Sequence, residues 1–274
     1  MGQMNAITGY ITQLLTQHVG QFASLGQTMF LSLATIMIVW FGLKSALSAG
    51  EHGSGFHFGQ FAGLVMMIAF GYAMTQYYAT PIPGIGRSFY HLIIDQTEYL
   101  SSLINNTQLQ TASDAISQYQ SQIQSPGITD IAGNIAYILD LIIMALWQAV
   151  AIIITAYGFM AQAICVLVGP IFVPFFIVPK LEWLFWGWLK CFMQYAFYQV
   201  IASATMFVMG NLVIYVLTRP PFWPIPDPLT LLSLLTVVFL GGVYALLKVP
   251  ALTNHIFSGM SGLSSVDIAE YLLS

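Results

Sequence analysis

The sequence predicts an all-α, polytopic membrane protein with about five transmembrane spans and an extracytoplasmic helical hairpin. Three observations carry this. Hydrophobic residues make up 58% of the 274 positions and charged residues only 6%, whereas a soluble protein carries about 25% charged residues. The apolar residues are gathered into runs of about 20 residues or more, long enough to cross a hydrocarbon core of about 30 Å. One polar interval, residues 79–131, divides these runs into two groups and has a helical periodicity of its own.

The charge balance and the reactive side chains exclude several functions. The net charge is −4 with six Lys and Arg residues, and none of the cations cluster. Tight direct nucleic-acid binding needs several clustered cations to neutralise phosphates, so it is not expected. Cys165 and Cys191 lie in apolar stretches and read as small buried hydrophobes. His52 and His57 flank a Gly-rich loop that reads as a plain polar connection. No Ser/His/Asp set, phosphate-binding loop, paired carboxylates or metal-ligand spacing occurs. The expectation is therefore no catalytic residue, no metal site, no cofactor, and no enzymatic activity.

The elements follow in order. Residues 1–27 carry no Lys or Arg, so a signal peptide with a positive first region is not expected. Ile7, Ile11, Leu14, Leu15, Phe22 and Leu25 recur at helical spacing, predicting an amphipathic N-terminal helix. Residues 28–78 hold the first two spans, about 28–47 and 58–78, joined by the Gly- and His-containing loop. Pro81 and Pro83 stop the second span. Residues 79–131 read as a periplasmic helical loop: Phe89, Leu92, Ile93, Leu100, Leu103 and Ile104 form a stripe, and a Gln- and Ser-rich stretch follows before Pro126-Gly127. Residues 132–249 hold spans three to five. The third, starting near Ile131 and running to about 168, would be near 57 Å long if straight. Gly158 is a candidate weak point in it. Gly169-Pro170, Pro174 and Pro179 then break the apolar segment 169–180, which at membrane depth must be surrounded by protein or line a cavity. The fourth span covers about 181–217 and the fifth about 229–249. Residues 250–274 form a cytoplasmic tail.

Within these spans several residues stand out. Trp183, Trp186 and Trp188 open the fourth span as an interfacial aromatic belt. Gly59 and Gly63 form a small-residue pair with Gly71 on nearly the same face, which permits close helix packing within or between subunits. Asp140 is an intramembrane carboxylate or, since its helix begins about ten residues earlier, a residue of the headgroup zone. Gln148, Thr155 and Gln162 recur every seven residues and form one polar stripe. That stripe is either an interhelical or subunit seam or the lining of a conduit. Four of the six cations fall on one side if the N-terminus is outside and the C-terminus inside, and the positive-inside rule favours that orientation.

The layout of five spans with a long loop after the second resembles the TrbL-type inner-membrane proteins of type IV secretion (conjugal transfer) systems. The closest likeness is in residues 164–195. There a helix reaches Gly169-Pro170, a proline-broken apolar segment follows, and a Trp-rich start leads into the next span. The third feature is the long fourth span with its Gln and small residues. The resemblance implies a multi-pass protein of the bacterial inner membrane that forms a homo-oligomeric ring, for instance a pentamer. Such rings serve as a platform or channel subunit supporting stalk or pilus assembly and the transfer of DNA or protein. Implied partners are further copies of the chain, a periplasmic stalk or pilus protein, other inner-membrane secretion subunits and membrane lipid. The chain lacks the large C-terminal extension of some relatives, so functions of that extension do not transfer. The alternative reading is a small-solute transporter or channel. Transporters combine broken helices with internal repeats and midplane charges, and here only the broken segment is present.

Overall fold

The computed structural model describes residues 2–52, 58–102, 131–218 and 228–258. Their regular structure is helical throughout. The elements are α1 (Gly2–His52), α2 (Phe58–Gln76), α3 (89–102), α4 (Ile131–Phe172), a 3-10 turn (Val173–Ile177), α5 (Glu182–Thr218) and α6 (Pro228–Ser258). Five helical stretches are long and apolar enough to cross a membrane: Gly9–Leu47, Phe58–Gln76, Ile152–Ile177, Glu182–Leu212 and Thr236–Phe257. The chain is an all-α polytopic protein. The Gln-rich arm of the expected hairpin, the turn around Pro220 and the tail beyond residue 258 lie outside the described residues.

The helices expose large apolar side chains along their lengths, among them Leu31, Ile36, Val39 and Trp40 on α1 and Val237, Leu240 and Leu247 on α6. A surface of this kind has lipid as its natural solvent. The hydroxyls interspersed on α1 fit that solvent because they bond to their own helix. Thr28 donates to the Ser24 carbonyl at 3.1 Å, Ser32 to Thr28 at 3.0 Å and Thr35 to Leu31 at 2.8 Å. These three hydroxyls are thus not left unsatisfied in hydrocarbon.

Three elements differ from the sequence expectation. Residues 2–52 form one helix of 51 residues, with no break where the amphipathic segment was expected to give way to the first span. The third span does not end at Gly169-Pro170 but runs through Pro170 to Phe172. Gly158 does not weaken it: a Cβ there would stand 2.5 Å from the Tyr198 ring, so this glycine is a notch for α5 rather than a hinge. Finally, α6 continues through Pro250 to Ser258.

The chain divides into two compact units. The first comprises residues 1–95 and 159–195, the second 96–158 and 196–274. The core of the first joins Val19, Met74, Tyr78, Tyr90, Ile94, Val166, Phe185, Trp188 and Phe192. A smaller cluster packs Phe30 and Ala34 of α1 on Ile177 of the 3-10 turn. Of the stripe expected on α3, Phe89 and Ile93 are partly buried against this core, while Leu103 and Ile104 lie outside the described residues. Tyr90, Ile94 and Thr97 are the buried positions, while Leu100 is exposed.

In the second unit Ile154, Tyr198, Ala202, Met206, Leu246 and Val249 form the core between α4, α5 and α6. Phe197 and Phe257 meet with ring centroids 5.8 Å apart. Ser101 of α3 and Ser203 of α5 share a hydrogen bond of 2.6 Å, so α3 lies along a membrane-spanning helix at that point.

Candidate functional site

The proline-broken segment is the most highly specified place in the first unit. Pro170 sits inside α4 and has no N–H, so the carbonyl four residues back, on Val166, loses its intrahelical donor. The hydroxyl of Tyr78 replaces it, donating to the Val166 oxygen at 2.7 Å. Tyr78 is fully buried. It stands just past the end of α2, where the Tyr78 N–H reaches the Thr75 carbonyl at 3.4 Å and the Phe89 N–H reaches the Tyr77 carbonyl at 2.9 Å.

A second side chain serves the adjacent carbonyl. The indole N–H of Trp188 on α5 donates to the Cys165 oxygen at 2.8 Å. Trp188 is held by stacking on Phe192, centroids 5.7 Å apart and planes 13° from parallel. Gly169 makes both bonds possible. A Cβ at that position would collide with the Tyr78 hydroxyl and stand 2.5 Å from Cζ2 of Trp188. On the other side Gly26 of α1 presses on the same turn, since a Cβ there would collide with the Pro170 carbonyl oxygen. One Gly-Pro pair thus organises contacts from α1, the end of α2 and the start of α5.

Beyond Phe172 the backbone satisfies itself in tight turns. Val178 is extended (φ −105°, ψ 104°), the conformation favoured before a proline, and Pro179 follows it. Its N–H reaches Phe175 at 3.1 Å, Leu181 reaches Val178 at 2.8 Å and Leu184 reaches Leu181 at 3.0 Å. Irregular backbone in an apolar setting is tolerable on this condition.

The joint also fixes how the spans meet. Read as full crossings, the second and third spans would put residues 78 and 168 near opposite faces, about 30 Å apart. The Tyr78–Val166 bond brings those ends to one level instead. Further along, Phe176 lies edge-on to Phe70 with centroids 5.7 Å apart. The α4–α5 turn therefore comes beside the middle of α2, and the two are staggered along their axes.

The residues singled out in the sequence divide. Trp183 and Trp186 are 65% and 47% exposed, but Trp188 is 5% exposed. Five residues turn a helix about 140° beyond one full turn, which carries Trp188 from the face of Trp183 into the core. Gly59 and Gly63 have nothing within 4 Å of a would-be Cβ, whereas at Gly71 it would stand 2.7 Å from the Phe30 ring. Eight residues overshoot two turns by about 80°, so Gly71 leaves the face of Gly63 and packs on α1. Thr155 and Gln162 are buried, each inside the packing of its own unit. The side chains of Gln148 and Asp140 lie outside the described residues. Among the described residues, no group of three or more His, Cys, Asp or Glu is placed to hold a metal ion. Sequence reasoning missed Tyr78 and Gly26. Pro170 signals an orphaned carbonyl, but nothing local names a donor 88 residues away.

Past α2 the loop 79–88 is fixed by its own bonds. The Ile82 N–H reaches Arg87 at 2.9 Å and the Gly86 N–H reaches Ile82 at 3.0 Å, with Gly84 and Gly86 at positive φ. Arg87 pairs with Asp95 at 3.0 Å, and Ser88 shares a hydrogen bond of 2.7 Å with Nδ1 of His91. Burial lowers the pKa of His91, against the raising effect of Asp95 and with a further lowering by Arg87.

Comparison with known proteins agrees with the architecture. The family profile described as "TrbL/VirB6 plasmid conjugal transfer protein" matches residues 34–249, more than three quarters of the chain, including Tyr78, Gly169, Pro170 and Trp188. No curated protein matches the chain.

Proposed function

Because the chain belongs to the TrbL/VirB6 plasmid conjugal transfer protein family, and is thus a multi-pass membrane component of conjugal transfer by type IV secretion, we propose that it is the inner-membrane platform or channel subunit of that machine. Several copies form a ring that supports stalk or pilus assembly and the passage of DNA or protein substrates. The observation that carries the ring is the contrast along α2. Gly71 is already engaged by α1, while Gly59 and Gly63 remain open among the described residues. A small-residue face that the described residues leave uncovered suits close approach by an identical neighbour.

The surface assigned to a periplasmic stalk or pilus protein is the loop 79–88 with the segment that follows α3. The loop turns Pro81, Pro83 and Ile85 outward, Ile85 being 56% exposed, on a backbone that its internal hydrogen bonds hold. Buried Thr155 and Gln162 support the seam reading of the polar stripe within the subunit. The orientation proposed is the one expected from the sequence, an outside N-terminus and an inside C-terminus. An impermeant maleimide that labels Ser261→Cys but not Ser113→Cys in intact spheroplasts would reverse that orientation.

The test of the whole reading is a donor strain deleted for this chain. Conjugation and pilus assembly should be lost and restored by the wild-type chain. A version lacking residues 105–125 should insert but restore neither. Native mass measurement in mild detergent should give a multiple of the 30.2 kDa protomer. Undiminished DNA transfer by the deletion strain, or a strictly monomeric chain, defeats the proposal.

A further inference from the structure

Cys165 on α4 and Cys191 on α5 meet at the joint, Sγ to Sγ 3.6 Å, and both are free thiols. Neither sulfur takes part in the backbone grip, which uses only the Cys165 carbonyl. We propose that the two cysteines are a modification site, in which a hydroperoxide converts the pair into an intrachain disulfide that ties α4 to α5.

The geometry favours this product over any other. A disulfide needs its sulfurs about 2.05 Å apart, so the pair must close by roughly 1.5 Å, within the reach of side-chain rotation. The two helices are already clamped at this level, because Trp188 lies three residues before Cys191 and bonds to the Cys165 carbonyl. Large backbone motion, the usual obstacle to forming a cross-link, is not required. The surroundings select the oxidant. Val166, Trp188 and Phe192 are buried apolar neighbours in the same cluster, a setting open to a small neutral peroxide and closed to a charged disulfide such as oxidised glutathione.

The order of events follows from exposure, since Cys191 is half-buried and Cys165 buried. The Cys191 sulfur attacks hydrogen peroxide, the O–O bond breaks, a sulfenic acid forms and one water leaves. The Cys165 sulfur then attacks the Cys191 sulfur, the S–O bond breaks, and the hydroxyl departs with the thiol proton as a second water. Two thiols lose two electrons in all, and one peroxide gains them.

The experiment uses the full chain in native membranes. After treatment with hydrogen peroxide, free thiols are blocked with N-ethylmaleimide in denaturant. The sample is then reduced, and newly released thiols are tagged with a polyethylene-glycol maleimide. The expected result is a monomer carrying two tags, with no more than one tag, from a sulfenic acid that cannot be resolved, on Cys165→Ser or Cys191→Ser treated alike. Mass spectrometry of the unreduced wild-type chain should show the peptides of Cys165 and Cys191 joined, which decides the matter if the variants insert poorly. An untagged wild-type chain, a singly tagged one, or disulfide-linked dimers as the only product would each overturn the proposal.

Discussion

The Tyr78 hydroxyl lies 2.7 Å from the Val166 carbonyl oxygen, at the hydrogen-bonding position that the Pro170 nitrogen cannot fill. A helix usually ends or kinks where a proline removes a bond of this kind. Here a donor from another span completes the turn, and α4 reaches Phe172. The stagger of α2 against α4, the seating of Trp188 and the pressure of α1 on Pro170 all depend on this arrangement.

Replacing Tyr78 by Phe should leave the chain inserted but less stable. The buried Val166 carbonyl would lose its partner, a loss of about 1–3 kcal/mol, read as a lower thermal transition in detergent. Pro170→Ala restores a backbone N–H for the same carbonyl. It should therefore recover stability in the Tyr78→Phe background more than in the wild type, with a coupling of about 1 kcal/mol. Strictly additive losses would show that the hydroxyl does not stand in for the missing amide.

The glycines should sort by what their faces meet. Gly169→Val drives a side chain into Tyr78 and Trp188, and Gly26→Leu drives one into the Pro170 backbone. Both should reduce the yield of folded protein sharply. Gly63→Ile meets open space within the chain, so the protomer should fold while the oligomer weakens. Unchanged oligomer mass for Gly63→Ile would remove this face from the interface.

The three tryptophans should respond differently to lipid-borne quenchers. In single-tryptophan versions, Trp183 and Trp186 should be quenched by brominated lipid, and Trp188 should be protected. Trp188→Phe should also destabilise the chain, since it removes a bonded indole from the core, whereas Trp183→Phe should change stability by less than about 0.5 kcal/mol. Strong quenching of Trp188 would contradict its buried position.

Acid should loosen the loop before α3. His91 has a pKa below its ordinary value, with burial as the main cause, so the unfolded segment binds its proton first. Stability is then full above about pH 6.5 and falls as the pH drops below that value toward the lower folded pKa. The Ser88–His91 bond weakens over the same range if Ser88 is its donor. Amide protection at residues 82–95, corrected for the intrinsic exchange rate, should fall between pH 7.5 and 5.5, and His91→Gln should flatten that dependence. An unchanged pH profile in His91→Gln would show that His91 is not the group responsible.

The sequence by itself determined the class and the number of spans. Water cannot solvate runs such as Leu31–Val39, and a chain with 6% charged residues leaves few other solvents for them. It also marked residues 164–195 as the distinctive segment, because prolines in an apolar run announce carbonyls that the helix cannot satisfy. The fold decided everything that depends on partners distant in the chain. Periodicity over a few turns groups Trp183, Trp186 and Trp188, or Gly59, Gly63 and Gly71, but a helix advances about 100° per residue. Small offsets therefore send Trp188 inward and Gly71 onto Phe30. Which donor meets the orphaned carbonyl of Val166, and that Cys165 faces Cys191, are tertiary facts. They follow from how α2, α4 and α5 are staggered, and local spacing carries no record of that stagger.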